Sequence, residues 1–63
     1  MMDELDFMCE IAVRAMEQSG IEAYDARGAR EAGFDALMDF DVDDDRKRIA
    51  VDTAVDEYFV DMF

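Results

Sequence analysis

The chain has 63 residues, which supports a single domain, 1–63, and a domain this short buries only about 60% of the surface its unfolded chain exposes. Eighteen Asp and Glu stand against six Lys and Arg, a net charge of −12. That balance excludes phosphate backbones and anionic membranes as direct ligands, because both are recognised by cationic surfaces, and it favours basic proteins as partners.

The apolar fraction of 52%, with five Phe and two Tyr, is enough to fold despite the charge. Cys9 is the one cysteine, so no disulfide can form within the chain, and it reads as a small buried apolar residue. A chain without paired cysteines fits a reducing cytoplasm. Its apolar runs are too short for a membrane span, and the acidic start Met1-Met2-Asp3-Glu4 is unlike a signal peptide, so a cytoplasmic location is expected.

Residues 3–19 predict an amphipathic helix, with Leu5, Met8, Cys9, Ala12, Ala15 and Met16 on one face. Asp3 is the expected N-cap, and Glu4 and Asp6 suit the positive end of the helix dipole. Gly20 supplies a left-handed residue after the last turn, and Ile21 folds back on it in a Schellman stop.

Residues 22–38 predict a second helix, with Ala23, Ala26, Phe34, Leu37 and Met38 on one arc. Gly28 and Gly33 each cost about 1 kcal/mol relative to alanine in a helix. Either they break it into pieces near 22–27 and 29–39, or they let another helix approach closely.

Residues 38–51 admit two readings. Met38-Asp39-Phe40-Asp41-Val42 alternates as a strand does, and Arg48-Ile49-Ala50-Val51 could pair with it through a turn at Asp44-Asp45. Asp-Asp is a poor hairpin turn, however, and a lone hairpin is marginal. Residues 52–62 return to helical spacing, with Val51, Ala54, Val55, Tyr58, Phe59 and Met62 on one arc and Thr53 as a candidate cap. Ile49 lies off that arc, which places the start after residue 50 rather than at 44. The expected fold is mainly α, a small bundle of about three helices with 41–50 as a charged loop. The alternative is α+β, with two helices, a 38–51 hairpin and a C-terminal helix.

Enzyme chemistry finds little support. Histidine is absent, no Ser–His or Cys–His pair can be built, and no glycine-rich phosphate loop appears. No cofactor and no metal are expected. Asp41, Asp43, Asp45 and Asp52 occupy positions 1, 3, 5 and 12 of a calcium-loop window, but Arg46 stands where the required glycine belongs. The basic triplet Arg46-Lys47-Arg48 directly follows a run of aspartates and reads as local charge pairing. The run Tyr58-Phe59-Val60-Asp61-Met62-Phe63 is apolar on nearly every side, so Tyr58, Phe59 and Phe63 are either core or contact anchors, for a partner or a homodimer. Met1, Met2, Phe7 and Met8 could extend that patch.

The carboxylates are the main candidates. Asp35 and Asp39 lie one helical turn apart, as do Asp52 and Asp56, and Glu57 and Asp61, while Asp41, Asp43, Asp44 and Asp45 form a dense block. Like charges at this spacing destabilise a helix by a few tenths of a kcal/mol per pair, roughly, so the pattern opposes folding and invites a functional explanation. Duplex DNA carries about one charge per 1.7 Å of axis, and a carboxylate surface can offer a comparable array to a cationic groove. The candidate partner-binding residues are Asp35, Asp39, Asp41, Asp43, Asp44, Asp45, Asp52, Asp56 and Asp61.

In size, charge and lack of catalytic residues the chain resembles the small acidic phage inhibitors known as anti-CRISPR and anti-restriction proteins. Many of these are short, single-domain and acidic, and some block DNA binding as mimics. The resemblance implies an inhibitor of a basic nucleic-acid-binding protein or complex, acting in the cytoplasm of a bacterial host. Two other readings of the charge are an antitoxin-like or regulatory subunit that neutralises one basic protein, and a salt adaptation of the halophile kind with no mimicry.

Overall fold

The computed structural model describes residues 3–22 and 25–62, with side chains as far as Val60. Helix α1 spans Glu4–Gln18 and opens as its sequence dictates: Asp3 is extended, and its carboxylate accepts the amide of Asp6 at 2.9 Å. Its far end is a Schellman stop, with Gly20 at φ 66°. The Gly20 amide donates to the Glu17 carbonyl at 3.2 Å, and the Ile21 amide to that of Met16 at 3.5 Å. Met8, Cys9, Ala12 and Met16 are buried, while Leu5, near the helix start, is 39% exposed.

Helix α2 spans Ala26–Leu37 and is capped by Asp25, whose carboxylate accepts the Gly28 amide at 3.0 Å. The helix runs unbroken through both glycines. Gly33 is buried where α2 comes closest to Met16 of α1 and to Val51, so of the two readings of this glycine, close approach is the one realised. Ala29 and Leu37 are buried and Phe34 is half-buried. Ala26 and Met38 are exposed despite their place on the expected arc, because they stand at the two ends of the helix. Ala23 lies outside the described residues.

Helix α3 spans Asp44–Met62, which completes the expected three-helix bundle, decides against the hairpin alternative and corrects the expected start of the last helix. No strand occurs among the described residues, so there is no 38–51 hairpin, and the helix starts at Asp44 rather than after residue 50. The reason is the chemistry of the aspartate run. Asp43 accepts the Arg46 amide at 3.1 Å, and Asp44 and Asp45 sit in the first turn, where the helix dipole favours acids. The alternation over 38–42 has a local cause: Phe40 and Val42 tuck half-buried against the core, and Met38, Asp39 and Asp41 face solvent. Thr53 is not a cap. It lies inside α3, and its hydroxyl donates to the Ile49 carbonyl at 2.9 Å.

The core joins Met8, Cys9, Ala12 and Met16 of α1 to Ala29 and Leu37 of α2 and to Ala50, Val51, Ala54, Val55 and Tyr58 of α3. Four alanines and a glycine at these contacts let three short helices close on one another. Among the described residues no charged side chain is buried.

Candidate partner-binding surface

The structure displays the described candidate carboxylates on the surface, but in separate places. Asp35 lies in the last turn of α2, in a shallow depression shared with Arg27, Arg30, Glu31 and Phe34. Asp39 and Asp41 are exposed in the α2–α3 connection, and Asp43, Asp44 and Asp45 follow at the head of α3. Asp45, Asp52 and Asp56 are exposed on α3 and, at about 100° per residue, fall on one outward stripe. The side chain of Asp61, with that of Met62 and the whole of Phe63, lies outside the described residues.

A second acidic group was not among the sequence candidates. Asp6 and Glu10 of α1 and Glu57 of α3 line one groove together with Cys9, Val13 and Thr53. The Cys9 thiol donates to a carboxylate oxygen of Glu57 at 3.6 Å. Burial pushes the thiol up to about 11, and the charge and hydrogen-bond acceptance of Glu57, then the charges of Asp6 and Glu10, add to the shift. The available signal was the spacing Asp6, Glu10, Glu17 along one edge of α1.

Little of this charge is neutralised within the chain. Among the described residues two ion pairs fall within 4 Å, Arg30–Asp52 and Arg46–Glu4, each at 3.4 Å and each exposed. Exposed pairs of this kind contribute about 0–1 kcal/mol. Arg46 reaches across to Glu4 of α1 rather than pairing with the aspartates beside it, of which Asp43 caps α3, so the expected local charge pairing is not formed by this residue. No helix has a basic residue in its last turn, and Glu17 and Asp35 place negative charge at the negative ends of α1 and α2.

The calcium-loop window is helical from Asp44 onward, which sets Asp45 and Asp52 about 10 Å apart along the axis. Among the described residues no group of three or more Asp, Glu or Cys is placed to hold a metal ion. No described helix is long and apolar enough to cross a membrane.

The apolar candidates divide. Tyr58 is a core residue, 7% exposed, with its hydroxyl donating to the Ile21 carbonyl at 3.0 Å. Phe59 is half-buried beside it, the rings 5.6 Å apart.

Compared with known proteins, the chain matches no family model, no curated protein and no solved structure.

Three of the five large exposed apolar side chains among the described residues, Leu5, Phe7 and Ile49, gather around the start of α1, apart from Met38 and Val60. Leu5, Met8 and Ile49 line one recess with Asp3, Glu4 and Arg46, and Phe7 and Phe40 line an adjoining one with the same Asp3 and Glu4. The two phenyl rings stand 6.0 Å apart. Phe7 is 49% exposed and Ile49 is 53% exposed. The sequence places Leu5 on the core face of α1 and Ile49 in a charged loop or, alternatively, a hairpin, and none of these readings reveals a recess between the first and third helices.

Proposed function

We propose that this chain is an inhibitor that occupies the cationic nucleic-acid site of another protein with its own acidic surface. The observation that carries the reading is the display of carboxylate charge without internal neutralisation: two exposed ion pairs among the described residues against a net charge of −12. A structural use of the acids would pair them or place them at helix starts, which accounts for Asp43, Asp44, Asp45 and Asp52 but not for the exposed Glu10, Glu17, Asp35, Asp39, Asp41 and Asp56.

The charge density supports the same reading. The longest dimension of the fold is 30 Å, a length over which duplex DNA carries roughly 18 charges. The net charge of this chain is about two-thirds of that. The resemblance in size and charge to anti-CRISPR and anti-restriction mimics agrees. Asp45, Asp52 and Asp56 on the outward stripe of α3, with the block from Asp39 to Asp44, are the groups that would stand in for phosphates.

The test uses the pure protein against a panel of basic nucleic-acid-binding proteins from a bacterial host, each loaded with labelled duplex. Displacement of the duplex that weakens as salt rises, and weakens further in an Asp45→Asn, Asp52→Asn, Asp56→Asn triple variant, is the expected result. Binding to a basic protein with no displacement of duplex would point instead to an antitoxin-like subunit. Unfolding below roughly molar salt would reassign the charge to salt adaptation, because self-repulsion is then unscreened.

A further inference from the structure

The carboxylates supply attraction without choosing among basic surfaces, and a partner needs an apolar anchor to be distinguished. We infer that the double recess at the start of α1 is the anchor site, and that its occupant is an amphipathic segment of the basic partner bearing an apolar side chain flanked by Lys or Arg. The inference rests on the proposed binding to a basic protein and names the contact that would confer selectivity.

Three observations select this occupant. The first recess is apolar at its base, from Leu5, Met8 and Ile49, and the side chains of Leu5 and Ile49 are left solvent-exposed by the described residues. The second offers two phenyl rings 6.0 Å apart beside Asp3 and Glu4, an arrangement that suits a cationic head over an aromatic face with carboxylates at the rim. The two recesses share Asp3 and Glu4, so an apolar side chain in one places its neighbours on the segment within reach of the other.

Charge decides between occupants. A second copy of this chain would bring another −12 to a rim where, among the described residues, Asp3 and Glu4 stand with Arg46. The exposed apolar side chains here are also few for a stable dimer, which buries about 800 Å² on each partner. Against a total surface of 4497 Å², that would require nearly a fifth of the molecule. A basic, apolar-anchored segment meets the rim with opposite charge.

The probe is a synthetic helical peptide with leucines on one face and Lys and Arg beside them. Its controls are a scrambled peptide of identical composition and a version with Gln for every Lys and Arg. Affinity is read by fluorescence anisotropy and location by amide shifts in NMR spectra of the full chain. The ordered peptide is expected to bind most tightly, moving the amides around Leu5, Met8 and Ile49. Ile49→Gln and Phe7→Gln should each weaken it about tenfold, as loss of an apolar anchor does. Val60→Gln, which alters an exposed apolar residue on the last turns of α3, should leave it unchanged.

All four proteins should keep the same helical circular dichroism, because each substitution is on the surface. If the scrambled peptide binds as tightly, if Val60→Gln acts like Ile49→Gln, or if the unliganded chain sediments as a dimer that Ile49→Gln dissociates, the inference is overturned. Duplex displacement scored with the Asp45, Asp52 and Asp56 variants is a separate readout, so the anchor site can fail while the charge mimicry stands.

Discussion

Gly33 of α2 is seated directly against Val51 of α3: a Cβ on Gly33 would lie 3.2 Å from one Val51 methyl and 3.3 Å from the other. It would also lie 3.1 Å from the terminal methyl of Met16, which can swing away. Val51 cannot, being fully buried and β-branched, with one strongly preferred rotamer in a helix. Gly33→Ala gains about 1 kcal/mol of helix propensity and loses about 1–3 kcal/mol to overpacking. A net loss near 1 kcal/mol is expected in urea unfolding. In a double-mutant cycle, Gly33→Ala with Val51→Ala should cost less than the two single changes summed. A Gly33→Ala protein more stable than the parent would show that α2 and α3 are not locked at this point.

Asp43 separates a structural role from a charge role. As the cap of α3 it should cost about 1 kcal/mol when changed to alanine, seen as a lower urea midpoint. Asparagine caps about as well as aspartate, so Asp43→Asn should unfold at the parent midpoint while it weakens duplex displacement if this carboxylate meets the partner. Equal destabilisation by both changes would remove the assignment of Asp43 as a cap.

Tyr58→Phe deletes the hydroxyl that binds the Ile21 carbonyl and leaves the ring in place. The expected loss is about 1 kcal/mol, the ordinary worth of one such bond. Partner binding should be unaffected, since Tyr58 is buried. A variant that folds as well as the parent but binds worse would return Tyr58 to the contact surface.

The Cys9 thiol, held up to about 11 from an ordinary 9.0, makes a signed prediction about pH. The folded chain holds this proton more tightly than the unfolded one, so the contribution is fully present below pH 9 and is lost as pH rises through 11. Stability should fall across that window, and thiolate absorbance should appear there and not near neutrality. Glu57→Gln should move the thiolate transition downward. Rapid alkylation of the native protein at neutral pH would contradict the described surroundings of this sulfur.

The helices were legible where local chemistry and apolar periodicity agreed. Asp3, Gly20 and Ile21 bracket α1 so completely that its two ends need no tertiary information. The third helix was misplaced because Phe40 and Val42 imitate a strand while merely lining a loop, and because Ile49 faces outward near the start of a long helix. Periodicity registers burial, and it therefore misreads an apolar residue kept at the surface. The same blindness hid the double recess at the start of α1, whose walls, Leu5 with Ile49 and Phe7 with Phe40, lie more than thirty residues apart and meet only when the bundle closes. The groove holding Asp6, Glu10 and Glu57 was hidden likewise, since two of its acids and the third lie on different helices.

The bare negative ends of the helices carry one more consequence. No described helix carries a compensating cation at its end, so the native state forgoes that stabilisation, and under the proposed binding a partner taken up only by the native form raises the melting temperature with its concentration. A free copy then opens more often than an engaged one and meets proteases more often. Turnover would sort the population, sparing molecules that have found their target and clearing those that have not.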